Sequence, residues 1–393
     1  MGLSKYLKYM GFLAVKGSPA HLSKEILKDS LNIKNEVHGN SRHINAAVNW
    51  VLAAQKANDD DGVAALYSLC DGWHASYSET TGYIIPTMLN YYRKTKDINI
   101  KKSAIRMAEW ELKKQMPDGA FPGAVANNKE FPIVFNTGQV IFGVIRAFQE
   151  TKDIKYKKSA ISAADWLVTV QNKYGFWDKF DYLNQTHVYN TRTAWALLKA
   201  YDSTKKAAYL KAAAKNIDWA LTQQLNNGWF MKSAFHEKQE PLLHTIAYTI
   251  QGILEAGEYL KNQKYINSAK KAADVLLELQ RKDGSLAGSF DENWESSVSW
   301  SCLTGNSQMS IIWLRLYQLT KVKKYIAAAK KINNYVKSTQ DIKSRSKGIN
   351  GGIKGAYPIY GWYAPFCYIN WGAKFFIDAL MLEDDLRIGD KLG

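Results

Sequence analysis

The sequence is poor in cysteine, in clustered histidine and in long apolar runs, and each shortage narrows what the chain can be. Its 393 residues hold three cysteines, Cys70, Cys302 and Cys367, far apart and with no C-x-x-C spacing. That argues against a disulfide framework and for a reducing compartment. No apolar stretch is long enough to cross a bilayer. His74, His187, His236 and His244 show no tight ligand spacing, so no metal centre and no cofactor are expected. Phosphate-binding loops, the dinucleotide fingerprint and the G-x-S-x-G elbow are missing too. Recognition-helix, RNP and zinc-finger patterns are equally lacking, which argues against a nucleic-acid partner.

What is present is apolar and aromatic content, 46% and 13% respectively, ample to bury a core. The formal net charge is +16, from 52 Lys+Arg against 36 Asp+Glu. Lysines spread along most helices fit solvated outer faces. They also fit attraction to an anionic partner such as an acidic glycan, a pyrophosphate-linked lipid or a membrane surface. The opening stretch MGLSKYLKYMGFLAVKG is basic, but its apolar part is short, broken by Lys and without a small-residue cleavage site. An ordinary first helix, or a short amphipathic helix resting on a membrane, is expected there. The expected location is cytoplasmic, with peripheral attachment to the inner membrane as an extension of that reading.

After a lead-in (1–42) the chain repeats itself through residue 384, before a short tail (385–393). Amphipathic, Ala- and Lys-rich segments such as IKKSAIRMAEWELKKQ and YKKSAISAADWLVTVQ alternate with segments apolar all round, such as VIFGVIRAF and SIIWLRLY. The first kind has one wet face and the second none. Thr81, Thr137, Thr191 and Thr245 recur at a near-constant interval, as repeat units do. Gln115, Gln171, Gln224 and Gln280 each precede a Gly by four residues, with an aromatic or Leu two residues further on. This resembles the QW-type repeat of triterpene cyclases and reads as a structural hairpin end, the Gly supplying positive φ. Six hairpins with doubly buried inner helices, and a last repeat as apolar as the rest, predict one closed all-α domain, an (α/α)6 barrel, rather than an open solenoid.

Six inner-helix starts carry the unusual residues, and if they meet they form one polar, aromatic bowl. The richest is Asp71–Thr87, DGWHASYSETTGYIIPT. Free N–H groups and positive dipole ends would point into the bowl, a setting for carboxylates or phosphates. Glu79, beside Tyr77 and Tyr83, has the chemistry of a general acid or base, although a helix N-terminal charge accounts for it equally well. Tyr77, His244, His187 and Tyr189 are further proton-transfer candidates. Arg192, on an apolar inner helix, is a candidate for a substrate carboxylate or phosphate. Trp73, Tyr83, Asn136, Gln139, Asn190 and Asn306 complete the expected substrate-binding set with Trp362, Tyr363, Asn370 and Trp371. The asparagines also serve as helix caps and the aromatics as core. Asn58-Asp59-Asp60-Asp61 faintly resembles terpene-cyclase acidic motifs and reads as a solvated turn.

The stretches GWHASYSETTGYIIPT, FNTGQV (135–140), HTIAYTI (244–250), LTGNSQMSIIWLRLYQLT (303–320) and NWGAKFFIDALMLE (370–383) resemble a bacterial family from surface-polysaccharide gene clusters (capsule, O-antigen, exopolysaccharide). Its members are variously described as prenyltransferase/squalene-oxidase-repeat proteins or delta-aminolevulinic acid dehydratases. The second description implies a (β/α)8 barrel, and nothing here alternates strand with helix. More distantly the pattern is similar to toroid polysaccharide lyases, six-hairpin glycosidases and uronyl C5-epimerases. The resemblance implies an enzyme acting on a uronate or other acidic sugar of a surface polysaccharide or its lipid-linked precursor, within or beside a biosynthetic assembly. The alternatives are a non-catalytic glycan- or partner-binding toroid, and an isoprenoid-handling enzyme.

Overall fold

The computed structural model describes residues 20–123 and 130–392. The helix or membrane-resting segment expected at residues 1–19 lies outside the described residues. Among the described residues thirteen α-helices account for most of the fold. Helix α1 (Ala20–Ser30) precedes the ring. The outer helices are α2 (Asn40–Gln55), α4 (Ile98–Lys114), α6 (Ile154–Val170), α8 (Ala207–Thr222), α10 (Gln263–Glu278) and α12 (Lys323–Thr339). The inner helices are α3 (Ser78–Thr95), α5 (Val134–Thr151), α7 (Thr191–Thr204), α9 (Leu243–Tyr259), α11 (Leu303–Thr320) and α13 (Asn370–Leu392). Each inner helix packs on the next, and α13 packs on α3, so the inner ring closes. The chain is an (α/α)6 toroid. Among the described residues no helix is long and apolar enough to cross a membrane.

Packing pairs differ from the order in which the sequence suggests them. Each inner helix lies most closely on the outer helix that follows it, and α13 pairs back onto α2. The cause is linker length. Lys96, Lys152, Lys205, Lys261 and Lys321 sit just past the five inner helices α3 to α11 with φ between 52° and 62°. One left-handed residue turns the chain at once and forces the next helix alongside. The links from outer to inner helix are long, and all emerge on the opposite face. Strands β1 (Leu66–Ser68), β2 (Gly72–Trp73) and β5 (Cys367–Ile369) pair there as an antiparallel sheet in the order β2-β1-β5. Tyr67 stands opposite Trp73 on one side and Tyr368 on the other, tying the first long link to the last. Strands β3 (Ser301–Cys302) and β4 (Ala356–Tyr357) pair in the same way.

Six glutamines lock the outer ring. Gln115 Nε2 donates to Gly119 O (2.9 Å) in its own turn and to Ser159 O (3.0 Å) in the next outer helix. Gln171, Gln224 and Gln280 repeat this double bond onto Gly175 and Ala212, Gly228 and Ser268, and Gly284 and Ala328. Two further members lie outside the sequence motif. Gln55 Nε2 bridges Asp61 O and Ser103 O, each at 3.0 Å. Gln340 Nε2 bridges Gly351 O (2.7 Å) and His43 O (3.3 Å), which closes the circle. Every turn residue so held has positive φ, from 70° at Asp61 to 100° at Gly175. The turn also lies flush on its neighbour: a Cβ on Gly119 would stand 2.6 Å from Ser162 O. The acidic turn is solvated and locally satisfied, with Asp60 accepting from Gly62 N–H and Ser76 Oγ and Asp61 paired to Arg106.

Replacing Gln340 by Ala strands two buried carbonyls and removes the acceptor for His43 Nδ1, 2.6 Å away. We expect Gln340→Ala to cost roughly 2–4 kcal/mol in urea unfolding, against less than about 0.5 for the exposed Asn58→Ala. Equal, small losses from both would contradict the seam.

Candidate active site

The long-link face opens into a cavity of about 270 Å³ in the lumen of the ring. Its position follows from inner-helix periodicity. Residues four apart on α3 (Glu79, Tyr83) and on α9 (His244, Tyr248) share one face of their helix, and that face is the lumen. Asn136 enters from α5, Tyr189 from the short 3-10 turn before α7, and Trp371 from α13. Tyr182 and Phe235 come from the long links, and Tyr363 from the last of them.

Glu79 is the carboxylate of this lining among the described residues. It is the second residue of α3, and the chain around it is tightly held. Tyr77 is the N-cap in extended conformation, Ser78 Oγ donates to Glu111 Oε2 (2.6 Å), and Thr81 Oγ1 accepts from Val63 N–H (3.0 Å). A relay runs into the carboxylate: Asn136 Nδ2 donates to the Tyr77 hydroxyl (3.1 Å), which donates to Glu79 Oε2 (3.1 Å). Burial among rings pushes the Glu79 pKa up to about 7, with the Tyr77 hydrogen bond and the Arg192 charge pulling the other way. A helix N-terminus favours the anion by only about 0.3–1 kcal/mol, whereas this shift corresponds to about 3 kcal/mol, so desolvation wins.

His244 is the complementary group. Its Nδ1 lies 2.7 Å from Gln308 Oε1, an acceptor, so Nδ1 carries the hydrogen and Nε2 keeps its lone pair. Burial pushes its pKa down to about 3, Gln308 opposing and Arg192 assisting, so the ring is neutral. It packs against Tyr248 at 4.3 Å and Tyr363 at 5.8 Å between centroids. Trp371 Nε1 donates to the Tyr363 hydroxyl at 2.8 Å. The tyrosines stay protonated, since burial raises Tyr77, Tyr189 and Tyr363 well above the ordinary value. The lining therefore combines an acid poised near neutrality, a neutral imidazole and several phenol donors.

Of the residues expected from sequence, Tyr77, Glu79, Tyr83, Asn136, Tyr189, His244, Tyr363 and Trp371 line the cavity. The others do not, and all but the exposed Trp362 have other partners. His187 stacks on Tyr189 (4.6 Å, 18°) and lies 3.1 Å from Asp181, which also accepts from Asn190 Nδ2 (2.5 Å), forming a buried buttress behind the wall. Asn306 Nδ2 donates to Cys302 O (2.7 Å), and Asn370 Nδ2 to Thr80 Oγ1 (2.8 Å) and Ala64 O (3.1 Å), so both tie down backbone instead of substrate. The start of α11 lies flush on α9, with Gly305 against the His244 backbone. Trp73 packs on Trp50 and Tyr67 away from the cavity, and Trp362 is exposed beyond it. Gln139 accepts from Arg192 Nε (2.8 Å) below the floor. Tyr248, Tyr182 and Phe235 were not singled out from sequence. The signal for Tyr248 was its i+4 spacing from His244; Tyr182 and Phe235 sit in the long links with no such mark. Among the described residues no group of His, Cys, Asp and Glu gathers to hold a metal ion.

No protein-family model matches the chain, and no curated protein matches its sequence. Solved structures match its fold. An unsaturated glucuronyl hydrolase specific for heparin aligns with a TM-score of 0.72 at 15% identity, covering 88% of this chain and 97% of that one. The unsaturated glucuronyl hydrolase from Bacillus sp. GL1, responsible for glycosaminoglycan degradation, aligns at 0.69 and 17% identity, covering 87% and 96%. Cellobiose 2-epimerase from Bacillus thermoamylovorans B4167 aligns at 0.67 and 14%, covering 86% and 96%. These likenesses place the chain among (α/α)6 toroids.

Because burial raises Glu79, the folded state holds its proton more tightly than the unfolded chain does. Its ionisation therefore removes stability as pH rises from about 4.5 to about 7. Glu79→Gln should unfold at a higher temperature than wild type at pH 8, with the difference vanishing by pH 4. A difference independent of pH would place the Glu79 pKa near its ordinary value.

Proposed function

We propose that the chain is a carbohydrate-active enzyme that moves a proton at a ring carbon of a uronate or other acidic sugar, with Glu79 as the acid–base group. The observation that carries this reading is a cavity carboxylate, the only one in the lining among the described residues, held near pKa 7 beside a neutral histidine. Such a group is close to half protonated at neutral pH and can take or give a proton at similar cost. A two-carboxylate glycosidase needs a partner for Glu79 across the cavity. Asp181 is enclosed behind Tyr189, and Asp178, Glu237, Asp291 and Glu292 do not line the cavity.

In this scheme the sugar ring lies against Tyr189, Phe235 and Trp371, and the phenol hydroxyls and Asn136 receive its polar groups. Among the described residues no Lys or Arg lines the cavity. A uronate carboxylate held there by neutral donors is less ionised than in water, which acidifies the neighbouring C5–H. Glu79 as carboxylate removes that proton, and a phenol hydroxyl beside His244, that of Tyr248 or Tyr363, returns a proton to the opposite face and is itself reprotonated from solvent, which inverts C5. Loss of the O4 substituent instead gives an unsaturated product. A second reading has the same basis. The fold neighbours include enzymes named for unsaturated glucuronyl residues, and a single carboxylic acid suffices to protonate the ring double bond of such a residue. The setting in surface-polysaccharide biosynthesis, with a lipid-linked or polymeric acidic glycan as substrate, rests on the sequence resemblance and is proposed with it.

The test is solvent exchange. The protein is incubated in D2O with saturated and unsaturated uronate-terminated oligosaccharides, and products are read by mass spectrometry. Wild type should place deuterium on a ring carbon of one of them, and Glu79→Gln should slow this at least about 100-fold. His244→Ala should slow it as well. Binding without exchange or cleavage, alike in wild type and variants, would overturn the catalytic reading and leave a glycan-binding toroid.

A further inference from the structure

The lumen holds a second cavity, of about 650 Å³, opening on the opposite face where the inner helices end. Its volume is that of a small-molecule site. Tyr83 borders both cavities, and Arg192 lies in the layer that separates them. Six Lys or Arg side chains line this second space against three Asp. Some of that excess has an ordinary explanation. Arg93 and Arg146 pair with Glu150, Lys94 pairs with Asp385, and cations suit the C-terminal ends of helices.

Arg192 and Lys374 have no such explanation. Arg192 is the second residue of α7 and Lys374 the fifth of α13, far from the C-terminal ends. Arg192 is 2% exposed. Its Nε donates to Gln139 Oε1 and its Nη1 to Gln251 Oε1, each at 2.8 Å. Both acceptors are neutral amides, and among the described residues Arg192 makes no salt bridge and its Nη2 donates to nothing. Five rings surround the guanidinium, from Tyr248 at 5.0 Å to Tyr83 at 6.0 Å. Cation–π contact offsets only part of what burying an ion costs. Lys374, also buried, has one counter-ion, Asp378 at 2.7 Å, and burial pushes its pKa down to about 8. Lys199 lines the same wall over the Trp195 ring and makes no salt bridge among the described residues. The space thus has cationic groups short of anions and an apolar wall of Phe142, Ile145, Trp195, Ile311 and Leu382.

We infer that this second cavity is a binding site for a phosphate ester with an apolar body. The oxyanion neutralises the floor formed by Arg192 and Lys374, and the body lies against Trp195 and Phe142. A doubly charged oxyanion matches two buried cations, of which only Lys374 has an aspartate partner, better than a lone carboxylate does. The site stands independently of the reaction proposed for the other cavity.

The probe is phenyl phosphate, titrated calorimetrically into the full chain, with inorganic phosphate and phenol as partial ligands. Phenyl phosphate should bind more tightly than either, and more weakly as salt is raised. Arg192→Gln should weaken it by at least about tenfold, and the part-exposed Lys199→Ala by a smaller but measurable factor. Asn58→Ala, in the exposed turn outside both cavities, should leave it unchanged. Should Arg192→Gln fail to fold, Lys199→Ala decides. No binding at about 1 mM, or equal affinity in Lys199→Ala and wild type, would overturn the proposal.

Discussion

The double hydrogen bond of the glutamine amide is the interaction on which the ring depends. One NH2 group satisfies a carbonyl in its own turn and a carbonyl of the next outer helix, so each repeat is registered on its neighbour by a single side chain. The geometry demands a left-handed residue where the turn meets that helix, and a flush approach that admits little more than glycine. Six such seams fix six repeats, and the seam from Gln340 to the His43 carbonyl joins the two ends of the toroid. Around that seam Lys337 donates to Asn40, and Asn40 to Asp384, so the last two helices are tied to the first outer one.

Ring closure has an electrostatic consequence. Inner helices buried on every side leave their polar residues to bond neighbouring backbone or to face the lumen. There Glu79 and His244 line one cavity and Arg192 lies in the layer beneath it, all three too buried for bulk water to screen them fully. Arg192, on a layer between two cavities, lowers both the Glu79 and the His244 pKa while burial pushes the two in opposite directions. The result is an acid near neutrality beside a base that stays uncharged, a state that costs stability and that a purely structural core would not retain.

The fold was legible in the sequence because it is written in periods. Doubly apolar and amphipathic helices alternate, and threonine and glutamine recur at constant spacing. The two missed seams show where that legibility stops. Gln55 holds Asp61, a non-glycine forced to φ 70°, and Gln340 reaches Gly351 across a longer turn, so neither fits a spacing rule. The site was half legible. Helix starts rich in polar residues do collect at one mouth, but Asn306 and Asn370 are used up on backbone carbonyls, and Arg192 points through to the other side. Which polar start faces the lumen depends on how each helix is rotated, and that is set by contacts such as Gly305 on the His244 backbone rather than by local sequence. Tyr182 and Phe235 sit in the long links, and only tertiary folding brings them over the cavity.

The proposed proton transfer depends on the ionisation of Glu79. The most direct measurement is a titration of its side-chain carboxyl carbon by NMR, assigned by difference from Glu79→Gln and repeated in Tyr77→Phe. A midpoint near 7 that moves higher when the Tyr77 hydroxyl is removed is the result predicted. A midpoint in the ordinary glutamate range, unmoved by Tyr77→Phe, would contradict it and leave the cavity without a proton carrier.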